Sequence, residues 1–173
     1  VLKEYNMRAL TFLVVDFIDK QNTWDISVTG KRVEHLSWSQ IIEMHAWGME
    51  FGSHSMSHRN LTRLNNDHLK YELAESKTSI EKMLGSCRCV SYPFNRVDRT
   101  VQRVTKECGY VYGFGGDGSH ALSLKKEAVY ITDTPWSFGI KVSEKPRSWY
   151  LYERFVQKVI NYFTITTMLT RKA

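Results

Sequence analysis

Continuous apolar runs alternate along the chain with segments whose apolar residues recur every three or four positions. The run ALTFLVVDFI at residues 9–18 has the length and β-branched content of a strand buried on both faces. Shorter runs at 49–55, 87–94 and 110–116 predict three further strands. The first part of the chain therefore predicts at least four strands.

Helical segments separate these strands and carry recognisable start and stop residues. Ser37 and Gln40 form an S-x-x-Q capping box, which predicts a helix from about 38 to 47. Residues 65–85 predict a long helix that ends at Gly85. The predicted apolar stripe of this long helix consists of Leu69, Leu73, Ile80, Met83 and Leu84.

The alternation of strand and helix continues to residue 116. Asp98 predicts the N-cap of a helix over 99–109, and residues 1–5 are typical of the last turn of a helix that begins before the first residue. Such alternation indicates parallel strands joined by helical crossovers, as in a (β/α) barrel or a doubly wound sheet. In both architectures functional residues collect at the carboxyl ends of the strands.

The pattern is looser in the last third of the chain. Residues 128–134 predict a strand, a loop bracketed by prolines holds Trp136, and residues 148–163 predict a helix. A last β-branched strand is predicted at 164–173.

Length and composition are those of one globular domain spanning residues 1–173. Hydrophobic residues make up 42% and charged residues 24%, which argues against a disordered chain. No apolar stretch approaches the roughly 20 residues that a membrane-spanning helix needs. The net charge of +6 comes from scattered basic residues, so no nucleic-acid partner is predicted.

Cys87, Cys89 and Cys108 are expected to be free thiols, which favours a reducing compartment.

His54 and His58 lie four positions apart in FGSHSMSHRNLTRL, directly after a short apolar run. Neutral imidazole is a good ligand for zinc and similar ions, and two such groups one helical turn apart can converge on one ion. A hydrolytic site also needs a third ligand, generally a carboxylate, and an open position for water. Taken alone, the pair is better explained as a helix-capping histidine and a surface histidine than as a metal site.

The segment HLSWSQIIEMHAWGMEFGSHSMSHRNLTRL, the long helix after it and VSYPFNRVDRTVQRVTKECGY together resemble the polysaccharide deacetylase family. This carbohydrate esterase family is related to chitooligosaccharide deacetylases. The resemblance runs from about residue 2 to residue 116. It rests on the family's H-[ST]-x-x-H metal motif, read at His54, Ser55 and His58, and on its proline-aromatic loop, read at Y-P-F.

The resemblance implies an α/β fold, a distorted (β/α) barrel of about six to seven strands, and metal-dependent removal of acetyl groups from an N- or O-acetylated glycan. His54 and His58 would bind a divalent metal, zinc or another ion. Tyr92, Pro93 and Phe94 would form the oxyanion and substrate loop, with the Phe94 N–H directed at the oxyanion. A general-base aspartate and a ligand aspartate usually complete the site in a T-F-D-D motif on the first strand.

That aspartate pair is missing here. Residues 11–14 read TFLV, and Leu13 and Val14 can neither bind a metal nor accept a proton. We interpret residues 9–18 as the family's second strand, so that the barrel is incomplete and the chain is either a fragment or a natural short form. Many relatives carry Arg where this chain has Ser91, and no L-x-H motif near the end supplies a catalytic histidine.

Other candidate residues have simpler interpretations. Asp16, Asp19 and Asp117 follow strands, where aspartates commonly cap helices or hold turns. His120 is expected to face solvent, and GFGGDG lacks the phosphate-loop pattern, so it predicts a tight turn. Aromatic residues near the C-terminus suit sugar stacking, which we expect only for Trp136 and not for Trp149, Tyr150 or Tyr152.

The sequence therefore predicts a polysaccharide deacetylase-like hydrolase that is impaired by the missing aspartates. The alternative is a non-catalytic member of the same fold that binds a glycan or serves in assembly. An incomplete barrel leaves strand edges unpaired, and a homodimer would cover them. The compartment, cytoplasm or cell envelope, stays open.

Overall fold

The structure is a computed structural model of the 173-residue chain and describes residues 1–21, 34–129 and 133–142. The chain divides into two units, Val1–Lys126 and Glu127–Ala173, and each is described by itself. Predicted elements that fall at 143–173 lie outside the described residues.

A parallel four-stranded sheet forms the centre of the first unit. Its strands lie in the order β1-β2-β3-β4. Each strand pairs in parallel with the next one along the chain, so all carboxyl ends meet at one edge of the sheet. The strands are β1 Leu10–Leu13, β2 Glu50–Ser53, β3 Cys89–Ser91 and β4 Tyr112–Phe114.

Three helices connect successive strands as crossovers, which confirms the predicted α/β alternation. They are α1 Trp38–Ala46, α2 Asn66–Leu84 and α3 Arg99–Glu107. Within the described residues the sheet is open rather than closed on itself, in agreement with an incomplete (β/α) barrel. The predicted homodimer that would cover an open edge stays a prediction. The second unit contributes α4 Pro135–Lys141.

The predicted helix caps are present in the structure. Ser37 and Gln40 form the reciprocal capping box of α1, with the Gln40 N–H donating to Ser37 Oγ at 3.2 Å. Asp98 Oδ1 accepts a hydrogen bond from the Val101 N–H at 2.9 Å and caps α3. Gly85 ends α2 in the left-handed conformation, with φ of 82°, which costs glycine little.

The core lies where the helices pack on the sheet. Leu69, Leu73 and Ile80 of α2 are buried as predicted, whereas Met83 is 39% exposed and Leu84 is partly buried against the core. The remaining core cluster consists of Leu13, Ile18, Ile41, Phe51, Leu61, Cys87, Val90, Tyr92, Val101, Val104 and Tyr110. All three cysteines are free thiols, as expected.

Several predicted bounds are wrong. The first strand ends at Leu13 rather than residue 18, because Val15–Phe17 form a 3₁₀ turn whose apolar side chains extend the run without extending the strand. Residues 2–6 form hydrogen-bonded turns and not a helix. Trp136 lies in α4 and not in a loop. No helix in the described ranges combines the length and the hydropathy needed to cross a membrane.

Candidate active site

The two histidines of the motif lie in a loop at the carboxyl end of β2, not on one face of a helix. His54 follows β2 directly, and its N–H donates to Leu13 O of β1 at 2.7 Å. The imidazole rings of His54 and His58 nevertheless come together, with centroids 4.8 Å apart and planes at 66°. The loop therefore brings the two imidazole rings together, as the helical spacing was expected to do.

Side-chain hydrogen bonds build this loop, which we call the histidine loop (residues 53–58). Ser55 and His58 have left-handed backbones, with φ of 68° and 59°, conformations that non-glycine residues rarely adopt without local support. The Ser55 N–H donates to Ser53 Oγ and the His58 N–H donates to Ser55 Oγ, each at 3.0 Å. The small hydroxyl residues around the histidines are thus the internal supports of the turn.

The histidine loop is also tied to helix α2. The Ser57 N–H donates to Glu72 Oε2 at 2.9 Å, and the Ser57 hydroxyl donates to Glu72 Oε1. Glu72 is only 5% exposed. The sequence analysis missed this residue, although a glutamate on the apolar stripe between Leu69 and Ser76 is an available signal.

One hydrogen bond sets the tautomer of His54. Its Nδ1 lies 2.5 Å from Ser91 O at the end of β3, and a carbonyl only accepts, so the proton is on Nδ1. The Nε2 lone pair is consequently the one available to a ligand. Burial, assisted by the charge of Lys126, lowers the pKa of His54 from 6.5 to about 4. At neutral pH the ring is therefore in the uncharged form that binds metals.

The predicted proline-aromatic loop follows β3 and meets the second histidine. The Phe94 ring lies against the His58 ring, with centroids 4.8 Å apart. Tyr92 is fully buried, and its hydroxyl donates to Leu122 O at 2.9 Å. Phe94 has φ of 58°, so its peptide group is turned out of the regular strand direction. The structure thus brings the two predicted motifs together at one edge of the sheet.

The basic side chain of Lys126 lies beside Ser91. Ser91 is the position at which many relatives were expected to carry Arg. Lys126 Nζ donates to Ser91 Oγ at 2.8 Å, and burial lowers the pKa of this lysine. The lysine stem passes Gly115, where an added Cβ would lie 3.3 Å from Lys126 Cε and where the φ of 112° disfavours a side chain. Lys126 lies far from the motif in sequence, and the sequence analysis missed it.

Two of the three candidate third ligands have other hydrogen-bond partners in the structure. Asp16 is exposed, and Asp19 Oδ2 lies 3.5 Å from the Trp38 N–H at the start of α1. Hydrogen bonds from Ser119 and Ser123 hold the pKa of Asp117 well below its usual range and close the predicted tight turn. In the part of the chain that the structure describes, no group of three or more His, Cys, Asp or Glu side chains could hold a metal ion.

The end of β1 is apolar in three dimensions as well as in sequence. Leu13 and Val14 are buried, and together with His54 they line a cavity of about 220 Å³ whose other walls come mainly from β1 and the turn after it. His120 is exposed and caps a 3₁₀ turn through Nδ1, which accepts from the Leu122 N–H at 3.2 Å. Trp136 is 57% exposed in the second unit.

Parallel strands with helical crossovers define an incomplete (β/α) barrel, and the histidine pair and the proline-aromatic loop form a candidate functional site at its carboxyl edge. The family model "Polysaccharide deacetylase" matches residues 1–113. The chain therefore belongs to the polysaccharide deacetylase family.

Individual relatives agree with this assignment. YxkH of Bacillus subtilis (strain 168), a protein assigned to the polysaccharide deacetylases, is 27% identical over 114 residues, which cover 65% of this chain and 37% of YxkH. The structure of the Streptococcus pyogenes deacetylase PplD in complex with acetate matches with a TM-score of 0.71 at 21% identity, over 82% of this chain and 62% of PplD. The polysaccharide deacetylase BC0361 of Bacillus cereus matches with a TM-score of 0.64 at 26% identity, over 79% of this chain and 42% of BC0361.

In each of these three comparisons the chain spans less than two thirds of the relative's length. The similarity to PplD shows a shared fold.

Proposed function

We propose that this chain carries part of the active site of a hydrolase that removes acetyl groups from an N- or O-acetylated glycan. The convergence of the His54 and His58 rings, 4.8 Å apart beside Phe94, carries the proposal in a chain of this family. His54 and His58 fit two coordination positions of a divalent metal such as zinc, because His54 is neutral with its Nδ1 proton already engaged. A metal held there acts as a Lewis acid and makes water a better nucleophile.

The chain's own residues would position the acetyl group. Phe94 belongs to the loop where a backbone N–H is proposed to stabilise the oxyanion, a role that depends on fixed geometry rather than on a particular side chain. The buried Tyr92 holds that loop against the sheet. The proton acceptor and the third ligand would come from outside the described residues or from another chain.

One observation favours the alternative, a non-catalytic glycan-binding or assembly member. The strand end beside His54 presents Leu13 and Val14, both buried, and therefore supplies no carboxylate to the histidines. Neither side chain can accept a proton or bind a metal.

The test is the zinc content of the purified chain, measured by elemental analysis, with release of acetate from an acetylated chitooligosaccharide as the activity readout. We expect about one zinc per chain, retained in His120→Ala and lost in His54→Ala. His120 is a matched control because it is a histidine outside the candidate site. If the wild-type chain binds no zinc, the metal-dependent proposal is wrong and the non-catalytic alternative replaces it.

A further inference from the structure

The buried carboxylate of Glu72 forms hydrogen bonds to the histidine loop. It accepts from both the N–H and the hydroxyl of Ser57, the residue immediately before His58. Two bonds to a single residue restrain both its position and its orientation. Since His58 is the next residue, the same restraint acts on the backbone that carries its imidazole.

Glu72 is itself held firmly. It lies on the buried face of α2, one turn before Ser76. Ser76 Oγ donates to the Glu72 carbonyl at 2.7 Å and accepts from Ser53 Oγ at 2.8 Å. Ser53 in turn accepts from the Ser55 N–H. The histidine loop is therefore attached to α2 at both of its ends, through Ser53 and through Ser57.

The backbone of the histidine loop needs such support. Ser55 and His58 are in the left-handed region, a strained conformation for residues other than glycine that persists only where the surroundings enforce it. The bonds to Ser57 act on the residue before His58, in addition to the bond that the His58 N–H donates to Ser55 Oγ. We expect their loss to weaken the restraint on the His58 backbone and to move its ring away from His54 and Phe94.

We propose that Glu72 is a positioning residue, which acts through Ser57 to hold the His58 imidazole beside His54. This role of Glu72 deepens the proposed function, and its expected effect on metal binding rests on that function. The positional part can be measured separately in the metal-free chain. Glu72 itself has no place in the proposed ligand set.

Two substitutions at position 72 separate hydrogen bonding from mere packing. Glu72→Gln keeps the shape and both bonds, because its amide oxygen accepts from the Ser57 N–H and its amide nitrogen donates to Ser57 Oγ. Glu72→Met keeps the approximate volume and removes both bonds. Ser57→Ala removes one bond and leaves the helix intact, and Glu75→Met is a matched control at an exposed position one turn away on α2.

The first measurement is proton NMR of the metal-free variants, which reports contacts between the rings of His54, His58 and Phe94. We expect these contacts in the wild type, Glu72→Gln and Glu75→Met, weaker contacts in Ser57→Ala, and none in Glu72→Met. Contacts that persist in Glu72→Met would overturn the proposal, as would their loss in Glu72→Gln. If Glu72→Met does not fold, Ser57→Ala decides, and unchanged contacts there would overturn the proposal.

The second measurement is zinc affinity by titration. We expect Glu72→Gln to bind within about threefold of the wild type, and Ser57→Ala or Glu72→Met to bind roughly 10 to 100 times more weakly. Absence of zinc binding in the wild type would refute the proposed metal site, whereas the NMR contacts would still decide the role of Glu72. Equal zinc affinities for wild type, Ser57→Ala and a folded Glu72→Met would contradict the proposal.

Discussion

Replacing Gly113 with alanine tests the packing that holds Tyr92 beneath the proline-aromatic loop. Gly113 is the middle residue of β4, and a Cβ added there would lie 2.7 Å from Leu122 O and 2.8 Å from Tyr92 Cζ. The Tyr92 hydroxyl would be closer still, and it donates to Leu122 O at 2.9 Å. The new methyl group and the Tyr92 hydroxyl therefore compete for one space.

The expected cost follows from these contacts. Forcing an extra methyl group into a packed site costs about 1–3 kcal/mol, and loss of the buried Tyr92 hydrogen bond costs about 1–2 kcal/mol. A glycine-to-alanine change recovers about 0.5–1 kcal/mol by restricting the unfolded chain. The free energy of unfolding of Gly113→Ala should therefore fall by about 1–4.5 kcal/mol.

Urea unfolding followed by tryptophan fluorescence measures this change. Gly139→Ala is the control, because nothing lies within 4 Å of the added Cβ, and we expect it to be neutral or stabilising by up to about 1 kcal/mol. Combining Gly113→Ala with Tyr92→Phe removes the competing hydroxyl, so the double variant should be more stable than the sum of the single changes by more than about 1 kcal/mol. Additive effects, or a Gly113→Ala variant as stable as the wild type, would refute the reasoning.

Two further predictions concern a helix cap and a buried thiol. Asp98→Ala should lower the free energy of unfolding by about 1 kcal/mol, and Asp98→Asn should lower it by much less. The reason is that the cap on the Val101 N–H needs only an acceptor oxygen, which asparagine also supplies. Equal losses for the two variants in urea unfolding would contradict this. Burial raises the pKa of Cys87 from 9.0 to about 12, so the unfolded chain loses this proton at lower pH than the folded chain. The contribution of the neutral, buried thiol to stability is therefore present below pH 9 and is lost as the pH rises from 9 towards 12. Between pH 8 and pH 10 the wild type should lose about 1.4 kcal/mol more of its unfolding free energy than Cys87→Ala, and parallel pH profiles would exclude this effect.

Local signals in the sequence were sufficient for the helix starts and for the order of elements. Ser37 with Gln40, Asp98 and Gly85 act within one turn of their own positions, so nothing distant overrides them. The end of β1 was not predictable in this way. The apolar run continues past Leu13 without glycine or proline, and only the tertiary packing shows where the strand stops.

In the candidate site, too, the residues of local motifs were predictable and those that arrive through tertiary contacts were not. The two motifs identified His54, His58 and the Tyr92-Pro93-Phe94 loop, but they suggested a helical arrangement of the histidines, whereas the structure has a turn supported by hydroxyl groups. Glu72 and Lys126 reach the site only because α2 and the chain after β4 pack beside it. Their contributions depend on contacts between distant parts of the sequence, which no local pattern encodes.

The hydrogen bond from His54 Nδ1 to Ser91 O has a consequence for how the site tolerates mutation. The acceptor belongs to the main chain, so every amino acid at position 91 supplies it equally. What must be preserved is the register between β2 and β3, in which Ser53 lies opposite Val90. Selection for the His54 tautomer therefore acts on strand alignment and not on the identity of the side chain at position 91.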